Sequence, residues 1–324
     1  MRLEILHHAN CFDGCASAAL FGRWFTEREG DRLLEVTYRP VQHGHGEVFP
    51  ADAFQADVNA VVDFRYSLSP RLDWWFDHHA SGFPSPADRA AFEADRSGQK
   101  FWDPEAPSCT GFIARVLGER FGWRPPELEE LVRWAEIIDA ARFPSAAMAV
   151  RLEEPALEIM TLLEASKDPG LQPRIIAAMQ REPLAQIASE PWVREPLAPI
   201  LERHVRSIDT VRQHARMERG VVCADLSETG LEAANKFIAY DLFPKARYTV
   251  VVSRDPKRTK ISVGSNPWST VPRTHDISKI CERYGGGGHP VVGAVSLPPD
   301  RIEDARRIAR EITLELQDGS EPRP

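Results

Sequence analysis

The sequence predicts an α/β protein with an N-terminal domain built on a parallel sheet, a helical connector, and a smaller C-terminal domain of mixed α/β structure. The 324 residues amount to about two domains of typical size. The first third alternates short apolar runs with helical patterns, which is typical of parallel strands connected by helices. A second alternation of this kind follows a long helical stretch. The composition, with 43% hydrophobic and 27% charged residues, is that of a globular protein.

The N-terminal domain is predicted to span residues 1–190. Strands are expected at residues 3–6, 36–41, 59–64 and 72–76, and a helix is expected at about 16–28. Residues 155–217 are rich in Glu, Leu, Ala and Arg, with prolines spaced as in first helical turns, which predicts several helices. The last of these helices forms the connector, residues 191–216.

The C-terminal domain is predicted to span residues 217–324. Strands at 220–225 and 248–252 flank a helix at about 231–240, and residues 260–264 pair back through a turn at Asp255 and Pro256. Asp276 is expected to cap a further helix, and residues 290–297 return as an apolar strand. These elements make a small α/β domain.

Charge, hydropathy and cysteine use exclude several classes of protein. The net charge of −8 argues against a chain-wide electrostatic grip on duplex DNA. No apolar run approaches the roughly 18 residues that span a bilayer, and residues 1–8 lack the apolar core of a signal peptide, so we expect a cytoplasmic protein with no membrane partner. Five scattered cysteines without C-x-x-C spacing argue against a disulfide scaffold and against structural zinc.

Polar residues gather where three predicted strands end. The first strand runs into His-His-Ala-Asn-Cys-Phe-Asp-Gly at residues 7–14, another ends at Asp63, and residues 72–76 lead into Asp77, His78 and His79. The carboxyl ends of parallel strands lie at one edge of a sheet, where ligands bind. Carboxylates crowded there raise one another's pKa values, and a divalent cation removes that cost. Each segment alone also fits an ordinary turn, but their convergence favours a metal site.

A fourth carboxylate comes from a helix predicted at about residues 126–141. The apolar stripe of this helix consists of Leu128, Leu131, Val132, Ala135 and Ile138. Asp139 follows at a spacing that places it on the same buried face. An ion pair with Arg133 or Arg142 is the alternative explanation, but the cost of burying a carboxylate favours a metal ligand.

A glycine-rich run follows the helix that Asp276 caps. Four glycines, residues 285–288, precede His289. Gly285 fits a left-handed helix C-cap, which does not explain the other three. The run lacks the Lys-Ser/Thr ending of a nucleotide P-loop. Backbone N–H groups without side chains can approach an anion closely, so we favour phosphate binding, with His289 as an added donor, over a flexible turn.

The order of these motifs resembles that of the DHH phosphoesterase family. The matching residues are His7, residues 10–14, Asp63, Asp77-His78-His79 and Asp139. Near the other end, residues 285–289 with Gly293 resemble the glycine-rich signature of the DHHA1 substrate domain. The resemblance covers nearly the whole chain. It implies a DHH catalytic domain, a DHHA1 substrate-binding domain, an active site in the cleft between them, and a manganese-dependent phosphohydrolase.

The resemblance also implies two cation sites that share Asp63. The ligands completing one site are Asp13, His79 and Asp139, and those completing the other are His7 and Cys11. The family usually carries Asp at position 11, and a thiol is a softer ligand than a carboxylate. The second site is therefore weak, differently populated or completed by His8 or Asn10, unless Cys11 is simply a buried loop thiol. Oxygen and imidazole donors favour one or two Mn²⁺ ions, with Mg²⁺ as the second choice.

Catalytic roles follow from the same resemblance. The resemblance implies that Asp63 would bridge two cations and that a hydroxide activated by them would attack phosphorus. His78 is the candidate proton donor to the leaving ribose oxygen, with orientation of Asp77 or phosphate binding as the alternatives. Asp77 is expected to fix the tautomer of a histidine.

Substrate contacts are expected from the C-terminal domain. The candidates are Gly285, Gly286, Gly287, Gly288, His289, Ser265 and Asn266. Similar proteins often carry Ser-x-Arg-Ser where this chain has Gly264. The missing contact is then lost or moved to one of the cations on the neighbouring hairpin, which are Arg254, Lys257, Arg258 and Lys260.

The predicted function is metal-dependent hydrolysis of very short RNA oligonucleotides to mononucleotides, an oligoribonuclease or exonuclease activity on single strands. Hydrolysis of a cyclic dinucleotide, or of a 3′-phosphorylated adenosine nucleotide, is an alternative with the same chemistry. An alternative of another class is a non-catalytic nucleotide or nucleic-acid binder with a degraded metal centre, which Cys11 and Gly264 would fit. The sequence leaves homodimerisation open.

Overall fold

The computed structural model describes residues 1–42, 49–50, 52–231 and 234–318. The chain divides into two compact units. Unit 1 comprises Met1–Phe143 and Leu152–Ile200, and unit 2 comprises Pro144–Arg151 and Leu201–Pro324. Each unit has its own sheet and its own core.

Unit 1 is built on a five-stranded parallel sheet. Its strands are β1 (Arg2–His8), β2 (Glu35–Val41), β3 (Val58–Val62), β4 (Trp74–Asp77) and β5 (Lys100–Trp102). They lie in the order β2-β1-β3-β4-β5, and every neighbouring pair is parallel. A parallel sheet covered by helices on both faces needs strands that are apolar throughout, and residues 60–62 and 74–76 are buried without alternation.

Helices cover this sheet and form the rest of unit 1. They are α1 (Phe12–Glu29), α2 (Pro86–Ala94), α3 (Cys109–Phe121), α4 (Glu129–Asp139), α6 (Pro155–Ala165), α7 (Leu171–Met179) and α8 (Leu184–Ser189), while α5 (Ala146–Arg151) belongs to unit 2 and α9 (Pro191–His214) crosses the boundary. Helix α1 lies at the centre, because apart from Arg23 all residues from Phe12 to Phe25 are buried. It contacts α3, α4, α6 and α7 as well as β1. Ser85 and Ser108 cap α2 and α3 through their side-chain oxygens.

The strand order creates a crevice at the carboxyl edge of the sheet, which is where open α/β sheets bind ligands. The chain passes from β1 to β2 on one side and then returns to β3 on the other side of β1. The loops that follow β1 and β3 therefore leave in opposite directions and open a crevice at the carboxyl ends of these two strands. His7, His8 and Asp63 stand at those ends.

Unit 2 contains a six-stranded sheet in the order β10-β11-β9-β8-β7-β6. The strands are β6 (Ala215–Glu218), β7 (Val221–Asp225), β8 (Tyr248–Arg254), β9 (Thr259–Ser265), β10 (Gly287–His289) and β11 (Val292–Leu297). Only β7 and β8 pair in parallel, and the other pairs are antiparallel. Helices α11 (Ile277–Glu282) and α12 (Ile302–Asp318) share one apolar cluster with the sheet, and α10 (Ile238–Leu242) shares a second one.

The predicted fold class is confirmed, and three local predictions need correction. Helix α1 starts at Phe12 rather than at about residue 16. The connector helix ends at His214, because residues 215–218 form β6 and pair with β7 through a hairpin in which Arg219 (φ 46°) and Gly220 (φ 75°) are both left-handed. The helix expected at 231–240 is the short α10, and residues 232–233 lie outside the described part of the chain.

Two further observations concern the helices. Pro196 and Pro199 lie inside α9 and not in its first turn, where the sequence pattern places prolines. Among the described residues, no helix is both long enough and apolar enough to cross a bilayer.

Candidate metal centre and glycine-rich hairpin

Potential ligands converge at the carboxyl edge of the unit 1 sheet. They come from the ends of β1, β3 and β4, from the first turn of α1, and from the last residue of α4. In three groups, the ligand atoms all lie within 4.8 Å of one another. These groups are His8–Cys11–Asp63, Asp63–His78–His79 and Asp13–His78–Asp139.

Asp63 lies at the centre of the arrangement. Its residue is 1% exposed, and neither carboxylate oxygen has a hydrogen-bond partner among the described residues. His8 Nδ1 lies 3.5 Å from Oδ2, and His78 Nε2 lies 3.5 Å from Oδ1. Burial raises the pKa of Asp63, but the imidazoles of His78, His8 and His79 lower it more, to about 2. Asp63 is therefore an ionised, buried carboxylate.

The backbone of Asp63 adopts a strained, left-handed conformation. The residue adopts φ 56°, while its N–H still donates to Phe76 O on β4 at 2.9 Å. A left-handed residue other than glycine costs roughly 1–3 kcal/mol and persists only where its surroundings fix it. Asn10 (φ 54°), before α1, and Ala141 (φ 50°), just after α4, share this conformation. Strain is thus stored in three of the segments that deliver ligands.

His78 faces three carboxylates. Its Nδ1 lies 3.0 Å from Ala106 O and donates to it, because a carbonyl oxygen can only accept. Nε2 lies 3.8 Å from Asp13 Oδ2, 3.5 Å from Asp63 Oδ1 and 3.4 Å from Asp139 Oδ2. Burial lowers the pKa of His78, but the carboxylates and the Ala106 carbonyl raise it more, to about 10.

This placement changes the ligand sets expected from the sequence. Asp13 and Asp139 are grouped with His78, whereas the resemblance groups them with His79. Asp139 is also not on a buried helix face, since its side chain is 28% exposed at the end of α4. Its described charged partner is His78 rather than Arg133 or Arg142. The reason is that Asp139 terminates the helix, so its side chain reaches past the apolar stripe to the sheet edge.

Asp77 holds the loop that carries the two histidines. Its Oδ1 accepts from His79 Nδ1 at 2.7 Å and from the backbone N–H groups of His78 at 2.9 Å and His79 at 3.2 Å. This fits the expected role of fixing a histidine tautomer, because it directs His79 Nε2 away from Asp77. Gly82 closes the loop, and a Cβ there would collide with Asp77 Oδ2.

Asp13 is anchored by the start of α3. Its Oδ2 accepts from Cys109 N–H at 2.6 Å and its Oδ1 from Thr110 N–H at 3.0 Å. Burial raises the pKa of Asp13, and the charges of Asp63 and Asp139 raise it further. Each carboxylate oxygen keeps a second lone pair, so the helix cap and a cation can share this group.

The loop between β1 and α1 is fixed by Gln172 of α7. Asn10 N–H donates to Gln172 Oε1 at 3.0 Å, and Gln172 Nε2 donates to Asn10 Oδ1 at 3.1 Å. The Asn10 side chain is therefore committed to this contact, which argues against the alternative in which Asn10 completes a cation site. The sequence gives no signal for the role of Gln172, because 162 residues separate it from Asn10.

His7 and His8 differ in their surroundings. His8, considered from the sequence only as a substitute ligand, belongs to the group with Cys11 and Asp63. His7 belongs to none of the three groups, is fully buried, and has no hydrogen-bond partner at Nε2 among the described residues. Burial lowers the pKa of His7 to about 4, so its imidazole is neutral.

The unpartnered atoms indicate that the residues present fit bound cations. Six buried side-chain nitrogen or oxygen atoms of the described residues lack a hydrogen-bond partner. Five of them belong to this centre: His7 Nε2, both oxygens of Asp63, Asp77 Oδ2 and His78 Nε2. Leaving buried polar atoms unpaired costs about 1–3 kcal/mol each, and more for charged groups. Carboxylate and imidazole groups are ligands of divalent cations, and cations held by the three groups would satisfy the atoms of Asp63 and His78. His7 Nε2 and Asp77 Oδ2 lie outside these groups, and Asp77 Oδ2 lies against Gly82.

The glycine-rich run forms a β-hairpin in unit 2 rather than an open loop. Residues 287–289 are β10, the edge strand, and pair antiparallel with β11. Gly285 (φ 75°) ends the turn after α11, as expected for a C-cap. A Cβ at Gly286 or Gly288 would collide with carbonyl oxygens of β11. Gly287 differs, because nothing in the described chain lies within 4 Å of a Cβ placed there. Packing within the described chain therefore gives no reason for a glycine at position 287.

The hairpin also shows which cations lie near the glycines. Gly264 on β9 pairs with Val292, directly after the glycine hairpin turn. The turn carrying Arg254, Lys257 and Arg258 lies at the other end of the same strand, about five residues or roughly 17 Å away, and Lys260 lies at that end of β9. These residues therefore lie away from position 264. Arg273 lies beside the glycine hairpin, because its Nη1 donates to Pro290 O at 2.9 Å and to His275 O at 2.7 Å.

The two remaining substrate candidates lie beside this hairpin. Ser265 Oγ donates to Val291 O at 3.0 Å at the exposed surface. Asn266 is 8% exposed, and its Nδ2 donates to Ala246 O at 2.8 Å while its Oδ1 accepts from Trp268 N–H at 3.0 Å. The amide of Asn266 is thus engaged in holding the turn.

Comparisons with known proteins show which fold this is. No protein-family model matches the chain. No curated protein matches it significantly. Among solved structures, a pGpG-specific phosphodiesterase from Vibrio cholerae, PggH, superposes with a TM-score of 0.70 at 20% identity, covering 98% of this chain and 99% of that one.

Two more distant structures share the architecture. An exopolyphosphatase-related protein from Bacteroides fragilis has a TM-score of 0.50 at 12% identity, covering 99% of this chain and 94% of that one. RecJ from Thermus thermophilus, solved in complex with Mn²⁺, has a TM-score of 0.51 at 13% identity, covering 100% of this chain and 53% of that one. The resemblance to DHH and DHHA1 proteins is thereby confirmed at the level of the fold.

Proposed function

We propose that this protein is a divalent-cation-dependent phosphodiesterase that cleaves very short oligoribonucleotides, with dinucleotides as its principal substrates. The observation that carries the proposal is that both oxygens of the buried Asp63 and Nε2 of His78, which lie in the ligand groups at the sheet edge, have no hydrogen-bond partner in the described chain. The fold shared with a pGpG-specific phosphodiesterase over 98% of the chain supports it. pGpG is itself a linear dinucleotide, so the short-RNA substrate is favoured over the cyclic dinucleotide and the 3′-phosphorylated adenosine nucleotide.

In this proposal the cations are held by two groups that share a crevice. Asp13, His78 and Asp139 would hold one ion, and His8, Cys11 and Asp63 would hold the other, with Asp63 also facing His78 and His79. Bound divalent cations supply positive charge for the phosphate oxygens and lower the pKa of a water nucleophile. We infer Mn²⁺ or Mg²⁺ as the ion of the oxygen-rich group.

The side chains around the ions position the chemistry. Asp77 fixes the ring of His79 through the 2.7 Å bond to Nδ1, which directs Nε2 away from Asp77. His78 commits Nδ1 to Ala106 O, so any proton transfer or cation contact at His78 uses Nε2. Since Nε2 faces three carboxylates, we infer that the main role of His78 is to bind the cation rather than to act as a general acid.

Substrate recognition is assigned to the second part of the chain, residues 217–324, and catalysis to residues 1–190. Gly287 lies on an edge strand with open space in front of it, which suits a backbone N–H approaching a phosphate. His289 and Arg273 stand next to it at the hairpin turn. Arg273 forms no ion pair with a carboxylate in the described chain, so its charge is available to an anion.

The experiment that tests the proposal is a panel of four substrates: pGpG, cyclic di-GMP, adenosine 3′,5′-bisphosphate and pyrophosphate. Each is incubated with the full-length protein in Mn²⁺, in Mg²⁺ and in chelator, and the products are separated by chromatography. We expect mononucleotides from pGpG in the presence of a cation and none in chelator. Faster cleavage of any other substrate would refute the proposed substrate class.

Variants separate catalysis from binding. Asp63→Asn should abolish hydrolysis while retaining the fold, and Asp31→Asn, an exposed carboxylate of the same unit, should leave the rate unchanged. Tight binding of pGpG without turnover in any cation would instead establish the non-catalytic binder and refute the enzyme.

A further inference from the structure

The group formed by His8, Cys11 and Asp63 offers three chemically different donor atoms. An imidazole nitrogen, a thiol sulfur and a carboxylate oxygen lie within 4.8 Å of one another. His8 Nδ1 is 3.5 Å from Asp63 Oδ2. By contrast, the group of Asp13, His78 and Asp139 offers two oxygens and one nitrogen, with no sulfur.

Cys11 is held in place by the backbone around it. It occupies the N-cap position of α1 in extended conformation (φ −122°, ψ 134°), and its carbonyl accepts from Cys15 N–H at 3.1 Å. The preceding residue, Asn10, is tied to Gln172 by two hydrogen bonds. The backbone that carries the thiol is therefore held in place at the edge of the crevice.

The carboxylate opposite the thiol shows that the position is built for a ligand. Asp63 is 1% exposed, and both of its oxygens are unpartnered in the described chain. A buried carboxylate that faces a sulfur and an imidazole nitrogen, and whose oxygens accept no hydrogen bond in the described chain, is an environment that suits a cation.

Donor softness then distinguishes the two groups. Thiolate ligands select borderline or soft cations such as Zn²⁺ and Co²⁺, whereas carboxylates and a single imidazole suit Mn²⁺ and Mg²⁺. We propose that the centre binds two different metals, with a borderline ion such as Zn²⁺ or Co²⁺ on Cys11, His8 and Asp63, and Mn²⁺ or Mg²⁺ on Asp13, His78 and Asp139. Binding at Cys11 exchanges the thiol proton, which leaves to solvent, for the cation. The inference rests on the metal centre of the proposed function but not on its hydrolytic activity.

Cobalt spectroscopy tests the sulfur ligand directly. Chelator-treated full-length protein is titrated with Co²⁺, and the near-ultraviolet thiolate-to-cobalt charge-transfer band is recorded. We expect a band that saturates at one equivalent, is absent in Cys11→Ala, and is unchanged in Cys223→Ala, which removes a partly buried thiol in unit 2. Thermal melting monitored by circular dichroism confirms that the variants are folded.

Counting manganese tests the second half of the inference. Electron paramagnetic resonance is used to count bound Mn²⁺ in protein that already carries one equivalent of Zn²⁺. We expect one Mn²⁺ in the wild type, and two Mn²⁺ in Cys11→Asp without Zn²⁺. The preference for Zn²⁺ over Mn²⁺ at this group should fall by about tenfold or more in Cys11→Asp.

The outcomes separate this inference from the proposed function. A wild-type protein that binds Co²⁺ without the band, or a band that persists in Cys11→Ala, overturns the thiolate site even when pGpG is hydrolysed. A Cys11-dependent band in a protein that hydrolyses none of the four substrates supports the thiolate site and overturns the proposed activity instead.

Discussion

Replacement of Asp63 by Asn is the sharpest test of the metal centre, because it removes one charge and almost no volume. The left-handed backbone at φ 56° is one that Asn adopts more readily than most residues, so the loop after β3 keeps its course. The change leaves His8, Cys11 and His78 without the carboxylate that they share. We therefore expect a folded protein with weakened cation binding.

The expected size of the effect follows from linkage. A cation present at a hundred times its dissociation constant stabilises the folded state by about 2.7 kcal/mol. All the candidate ligands lie in unit 1, which has about 190 residues. With an unfolding entropy of roughly 2.1 cal/mol/K per residue, the midpoint rises by about 7 °C when unit 1 melts alone and by about 4 °C when the whole chain melts together. A hundredfold loss of affinity in Asp63→Asn reduces the shift to about 1 °C or less.

Differential scanning fluorimetry with and without Mn²⁺ measures this shift. Asp31→Asn is the matched control, since it removes one exposed carboxylate from the same unit and should keep the full wild-type shift. Equal shifts in Asp63→Asn and wild type would show that the cation binds elsewhere. A wild type without any shift would refute the argument from unpartnered atoms altogether.

Three other consequences can be measured. Burial lowers the pKa of His78, but the carboxylates that His78 faces raise it more, to about 10. Cation binding among these carboxylates should therefore expel a proton, and the affinity for the cation should increase as pH rises from 6.5 towards 10. Calorimetry in two buffers of different ionisation enthalpy should detect the released proton, and identical heats would refute this prediction. Gly82→Ala places a Cβ against Asp77 Oδ2 and should weaken Mn²⁺ binding about tenfold or more. In the control Gly98→Ala the space is open, so Mn²⁺ binding should be unchanged and the melting temperature should fall only through the strain of the left-handed φ. Arg273→Ala should raise the KM for pGpG about tenfold, which corresponds to a loss of roughly 1.4 kcal/mol in binding free energy, while the stabilisation by Mn²⁺ stays unchanged. An equal rise in KM in Lys257→Ala would show that the distal turn binds phosphate instead.

Much of the fold could be predicted because its signals are local. Uninterrupted apolar runs such as residues 60–62 mark strands buried on both faces, and the polar residues directly after them mark the edge where ligands bind. The N-cap of α11 by Asp276 follows from one side chain and two N–H groups nearby in sequence. Strand β10 could not be predicted, because a Gly-Gly-His segment has no strand propensity and exists only through its pairing with β11.

The residue types that gather at the sheet edge follow from the amino-acid sequence, because acids and imidazoles that end buried parallel strands must emerge on one side. Their grouping does not follow from it. Whether His7 or His8 turns towards Asp63 depends on where β1 ends and on the Gln172 contact that shapes the following loop. The placement of His78 between Asp13 and Asp139 depends on Ala106, which holds its Nδ1 from another loop. These partners are far apart in the chain, so tertiary contacts alone could decide which nitrogen meets which carboxylate.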